Sequence, residues 1–187
     1  MSALSFPIAQ ETGRDLLLPH GINATRKQER EPMPFQIEAL SPQPFAELFW
    51  LSDDDLAHRN IRRLTVTEKP GTPCRVSLMD AEIGETVLLL NYEHHPVDTP
   101  YRSSHAIFVR QGAVQAQLAA GEVPDALRSR LISMRLFDDD NLMIGADVVA
   151  GESLAEMLAE ALATTATAYV HLHFAKPGCF AALARRC

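Results

Sequence analysis

The sequence predicts an α+β fold: a single domain with a mixed, mostly antiparallel sheet of about five to six strands and flanking short helices. Three observations carry this. The chain has 187 residues, 47% apolar and 22% charged, the size and composition of one domain with a substantial core. Strand-like apolar runs come first and helical stripes mix in later. No internal repeat, heptad run or low-complexity tract interrupts the pattern.

Residues 1–32 hold four bases and four acids and no sustained period. They are expected to be a flexible extension or sequence outside the domain, which then spans 33–187. Ser41 followed by Pro42 predicts a helix start, with Phe45, Leu48 and Phe49 on one face. Ser52 before Asp53, Asp54 and Asp55 predicts a second short helix, its carboxylates favoured by the helix dipole. Strands follow at 61–68, ended by Pro70-Gly71, at 85–93, where Val87 to Leu90 are all apolar, and at 105–110. Pro124 opens a short helix with Leu127 and Leu131 four apart. Ile132, Met134 and Leu136 alternate as a strand, Asp138 to Asn141 turn, and 142–149 return as its partner. Ser153 and Glu156 form a capping box for a helix whose stripe is Leu154, Met157, Leu158, Ala161 and Leu162. Residues 169–174 read as the last strand, and Pro177-Gly178 as the turn into a short C-terminal helix.

The net charge of −7, from 24 acids against 17 bases, argues against a nucleic-acid partner, which needs a basic footprint. The N-terminal stretch has no basic region followed by an apolar core, and Leu16 to Leu18 stop at Pro19, so no signal peptide is expected. No run approaches the roughly 18 apolar residues of a membrane span. Three widely spaced cysteines do not form a secreted disulfide framework, and the expected location is the cytoplasm.

Reactive side chains gather in three segments at strand ends: Pro73-Cys74-Arg75, Tyr92 to His105, and His171 to Cys179. Strand ends present loops to ligands. Tyr101, Arg102, Ser103, Ser104 and His105 form a run suited to a carboxylate or phosphate, because guanidinium offers a fork and hydroxyls add neutral donors. Arg75 and Lys176 add charge from the other segments, and Tyr92 and His94 add donors beside them. The alternative is structural: Arg102 pairs with an acid such as Asp98, the serines cap a turn, and the tyrosines are core rings.

Cys179 follows Pro-Gly at an expected helix start, where the dipole and Lys176 would activate a thiol, with His173 or His105 as base. Cys74 is the second candidate nucleophile. Against both stands the tendency of free cysteine to be a small buried hydrophobe. A Cys74–Cys179 disulfide or redox pair would need Cα atoms within about 7 Å. His171 and His173, two apart on a strand, share a face. With Cys179, and a fourth ligand from His94 or His105, they would offer nitrogen and sulfur to zinc. The pattern is weak, lacking C-x-x-C and H-E-x-x-H, so no metal is assigned and no cofactor is expected.

The stretches MPFQIEALSPQPFAELFWLSDDDL, GTPCRVSLMDAEIGETVLLLNYEH, TPYRSSHAIFVR and AYVHLHFAKPGCF, in that order, resemble a bacterial family known as domain of unknown function 1203. The resemblance covers residues 33–187 and implies a compact single domain. Its motifs match at Cys74, Arg75, Tyr92, His94, Tyr101, Arg102, His105, Gly178 and Cys179. The family name implies no activity. The expected function is a pocket for an anionic small molecule, with a Cys/His enzyme as its catalytic version. The alternatives are a protein-interaction domain using Trp50 and the Phe45/Phe49 helix, and a His/Cys metal-binding protein.

Overall fold

Eight strands, all paired antiparallel, form two sheets in the computed structural model, which describes residues 34–187. The α+β class holds. The expectation for residues 1–32 lies outside the described residues. The strands are β1 (Phe35–Glu38), β2 (Arg62–Thr65), β3 (Thr86–His95), β4 (Ser103–Arg110), β5 (Leu131–Phe137), β6 (Met143–Ala150), β7 (Tyr169–Phe174) and β8 (Phe180–Arg186). One sheet has the order β1-β8-β7-β5-β6 and the other β2-β3-β4. The helices are α1 (Gln43–Ala46), α2 (Asp53–His58), α3 (Asp125–Arg128) and α4 (Leu154–Ala163). No helix among the described residues is long and apolar enough to cross a membrane.

Each sheet has its own core. Leu154, Leu158 and Leu162, four residues apart on α4, are fully buried against the five-stranded sheet with Ile132, Met134, Val170 and Leu172. Burying each such side chain contributes roughly 1.5–3 kcal/mol. The three-stranded sheet packs Leu88, Leu90, Ile107 and Val109 under Phe45 of α1 and Leu56 of α2. The opposite faces of β3 and β4 carry Leu89, Ala106 and Phe108 toward the rest of the chain.

Four expectations change. Residues 180–186 form a strand, not a helix. Alanine and leucine are good helix formers, but propensity is a weak prior that tertiary context overrides, and here β8 is a central strand, pairing β7 on one side and β1 on the other. Its small Ala181, Ala182 and Ala184 sit fully buried under larger neighbours. Leu131 opens β5 and is 49% exposed instead of continuing the stripe of Leu127. Ser153 makes no capping bond, because it lies in αR conformation within a 3-10 turn (Gly151–Ser153) ahead of α4; a capping residue needs extended backbone. The Ser41 start shifts by one residue: Pro42 stands at the N-cap position of α1 with no side-chain capping bond, and Ser41 Oγ accepts from Gln43 N.

Ser52 behaves as expected: its Oγ accepts from Asp55 N at 3.1 Å and its O–H donates to Asp55 Oδ2 at 2.6 Å. Gly151 is a position where no other residue fits. A Cβ there would sit 2.0 Å from Leu127 O, so the close approach of α3 to the start of α4 depends on it.

Candidate functional site

The turn between β7 and β8 presents Cys179. Gly178 N donates to Phe174 O at 2.8 Å and Phe174 N to Cys179 O at 3.0 Å. Gly178 lies at φ +76°, which favours glycine. Cys179 therefore immediately precedes a strand, β8, and the helix dipole expected to activate it is absent.

Beside the turn, the loop carrying Pro73 to Arg75 is tied to β4: Arg75 N donates to Phe108 O at 3.1 Å. Arg75 is 1% exposed. Its Nε donates to Phe180 O at 2.8 Å, its Nη1 to Pro73 O, and its Nη2 to Cys179 Sγ at 2.9 Å. The guanidinium lies 5.0 Å from the Phe174 ring centroid, with Arg130 at 5.3 Å from the same ring. No carboxylate pairs with Arg75 among the described residues. Burial pushes the Arg75 pKa below its usual value, partly opposed by Cys179 and Cys74. A buried guanidinium without a carboxylate relies on hydrogen bonds and neighbouring sulfur for compensation.

These elements enclose a cleft of about 650 Å³. Its walls are largely apolar, with Leu89, Phe108, Leu131 and Phe174 prominent. Its polar groups are Arg75, Arg130, Lys176, His105, Ser129 and Cys179, and no Asp or Glu lines it. Arg130 is paired with Asp80 at 2.7 Å. Lys176 makes no ion pair or side-chain hydrogen bond among the described residues, leaving its charge available to a ligand.

A second cluster lies where the two sheets meet. His171 and His173 on β7 face His94 at the end of β3, with ring centroids 5.7 and 5.1 Å from His94. His94 reaches them because of a β-bulge. Glu93 pairs with Ser104 and His95 with Ser103, so His94 is the extra residue. A bulge re-aims side chains in this way. His94 stacks on Phe180 at 4.7 Å, and its Nε2 is 3.1 Å from Ser103 Oγ. His173 Nδ1 is 2.9 Å from Gly178 O. One ligand atom from each of His94, His171 and His173 lies within 4.8 Å of the others. Burial lowers the pKa of His94 to about 4, of His171 to about 2 and of His173 to about 3, with mutual repulsion and Arg135 adding to it. All three rings are therefore neutral at pH 7. His95 belongs to the adjoining aromatic packing: its Nε2 is 2.7 Å from the Tyr169 hydroxyl and its Nδ1 2.9 Å from Tyr101 O.

The expected single pocket is thus divided. Arg75, His105, Lys176 and Cys179 line the cleft together. Arg102 does not line it; its Nε pairs with Glu93 at 2.7 Å on the surface, the structural alternative with a different acid from Asp98. Tyr92 packs on Phe45 with centroids 5.6 Å apart, and Tyr101 lies against Phe137. Ser103 bonds His94, and Ser104 is exposed on β4 and does not line the cleft. Cys74 is buried in the smaller core, its Sγ accepting from Arg110 N. All three cysteines are free, so no Cys74–Cys179 disulfide is present. His173 is turned toward His94, and Cys179 is not among the clustered ligand atoms. Of the interaction residues, Phe45 is buried while Trp50 is 86% exposed. Arg130 and the apolar wall went unseen in the sequence; the one available signal was a base just before a strand.

A family model described as "Protein of unknown function (DUF1203)" matches residues 71–186, a span that contains the histidine cluster and every residue lining the cleft except Pro70. No curated protein and no solved structure matches the chain.

Proposed function

The chain belongs to the DUF1203 family, and because membership brings no activity with it, we propose a function from the cleft: it binds a small amphipathic anion, an apolar body bearing one carboxylate or phosphate. The observation that carries this reading is a mostly apolar cleft of about 650 Å³ with an unpaired Lys176 and no acidic lining residue. Ligand sites commonly combine apolar walls with a few convergent polar groups. The apolar wall of Leu89, Phe108 and Phe174 suits the body of such a ligand, while Lys176 and His105 suit its charge. Arg75 supports the floor; three of its donors are already committed to Phe180 O, Pro73 O and Cys179 Sγ.

Binding is favoured over Cys/His catalysis by one observation. A nucleophile and its base sit within hydrogen-bond reach, but among the described residues neither His105 nor His173 makes a hydrogen bond to Cys179 Sγ. Cys179 Sγ takes its bond from Arg75 instead.

Octanoate is a suitable probe, since it pairs an eight-carbon chain with one carboxylate. It is expected to slow iodoacetamide labelling of Cys179 and leave exposed Cys187 unaffected, with acetate and octanol much weaker. Lys176→Glu should weaken octanoate at least tenfold, about 1.4 kcal/mol. Octanoate that leaves Cys179 labelling unchanged, or that protects it equally in Lys176→Glu, overturns the reading.

A further inference from the structure

We propose that His94, His171 and His173 form a three-nitrogen site for a divalent transition-metal cation of the zinc class, independent of any ligand in the cleft. Their ligand atoms already lie within 4.8 Å of one another. A tetrahedral zinc with bonds of about 2.05 Å holds its nitrogens roughly 3.4 Å apart, so each ring needs to move by less than about 1 Å to close on an ion.

The hydrogen bonds around the cluster prepare it for this. His173 Nδ1 faces the carbonyl of Gly178 at 2.9 Å, which only an N–H can satisfy. The lone pair therefore sits on Nε2, and that atom is buried without a hydrogen-bond partner among the described residues. A carbonyl on one nitrogen that leaves the other free to coordinate is the usual outer-shell arrangement of a metal-bound histidine. At His94 the Nε2 is engaged by Ser103 Oγ, a hydroxyl that can donate or accept, and Nδ1 is buried with no partner of hydrogen-bond geometry; with Ser103 accepting, the lone pair sits on Nδ1. Two orphaned imidazole nitrogens in one contact cluster are costly unless something pairs with them. A cation would satisfy both at once.

The rings are also shielded from bulk water, His171 and His173 being buried and His94 half-buried, and it is the neutral imidazole that binds metal. Their placement is rigid. His171 and His173 are on a strand paired on both sides, and His94 is aimed by the bulge and clamped by Phe180. Arg135 on β5 is the cross-strand partner of His171. Its charge opposes a bare dication but favours an anionic ligand, such as hydroxide, at the fourth position. The donor set contains no sulfur, which separates this site from a His/Cys one.

The test uses the full chain treated with chelator and titrated with Co2+ and then Zn2+. One equivalent of Co2+ should produce visible d–d absorption without a near-ultraviolet thiolate band, and Zn2+ should displace it. His94→Ala should weaken Co2+ at least 100-fold. Zinc K-edge absorption of the wild-type chain needs no variant to fold: imidazole nitrogens at about 2.0 Å with no sulfur at about 2.3 Å are expected. Failure to take up Co2+ stoichiometrically, a sulfur shell, or wild-type affinity in His94→Ala overturns the site. Octanoate protection of Cys179 is a separate readout, so either proposal can fail alone.

Discussion

The cleft and the histidine cluster flank one turn, Phe174 to Cys179, and meet their polar groups in opposite ways. The cleft is open, is lined by cationic side chains, and has its buried charge, Arg75, wired to carbonyls and a sulfur. The cluster is closed between two sheets, neutral, and has buried nitrogens with no partner. Gly178 touches both, because its carbonyl faces His173 Nδ1 while its residue neighbours Cys179. The comparison teaches that a charged residue in a cleft can belong to the framework, while neutral rings in a core can be the groups left available.

The largest effect that would sharpen this contrast is expected at Arg75. Arg75→Ala strands the carbonyls of Phe180 and Pro73, each at a cost of roughly 1–3 kcal/mol. Stability should fall by about 3 kcal/mol, read as the shift in a urea unfolding midpoint. An unchanged midpoint would return Arg75 to the role of a ligand-binding side chain alone.

Next is the response of the cluster to acid. His171 and His173 are neutral when folded, with pKa values near 2 and 3, whereas an unfolded histidine titrates near 6.5. The unfolded chain therefore binds more protons below that value. Stability is complete above about pH 6.5 and falls as pH drops, by up to about 2 kcal/mol per imidazole between pH 6.5 and 5. Chelator-treated protein should show this slope in urea melts at several pH values, and His171→Gln should flatten it. An identical slope in that variant would mean that carboxylates govern the acid response.

Cysteine labelling comes next in size. Iodoacetamide should modify exposed Cys187 first, Cys179 in the cleft more slowly, and Cys74, 1% exposed, only on unfolding. Rapid labelling of Cys74 would break the assignment of that residue to the core. Arg102→Ala should have the smallest effect, below about 1 kcal/mol, because its pair with Glu93 is exposed. It should leave octanoate protection of Cys179 unchanged.

Much of the framework was legible from local pattern. The β7 strand matches the expected 169–174 residue for residue, and Ser52 caps its helix. Helix α4 lies where its apolar stripe predicts, although its start is not capped by Ser153. The three chosen segments supply Arg75, His105, Lys176 and Cys179, which line one cleft, and His171 and His173, which share a face. Local pattern failed where pairing partners decide. Residues 180–186 have a helix-compatible composition, yet two neighbouring strands claim their backbone groups. Arg102 and Arg75 look equivalent in sequence, but a nearby acid takes one and two carbonyls take the other.

The sequence by itself determined the class of fold, the strand and helix stripes, and which segments carry reactive groups, because these depend on periodicity and residue chemistry along the chain. Tertiary structure alone decided that those groups divide between a cleft and a separate histidine cluster. The division rests on one extra residue in β3, which aims His94 at β7, and on the Gly178 turn, which sends Cys179 toward Arg75. The bulge belongs to the β3–β4 pair and the turn joins β7 to β8, so both are local devices; what they meet, β7 for His94 and Arg75 for Cys179, lies far along the chain and is set by how the two sheets pack.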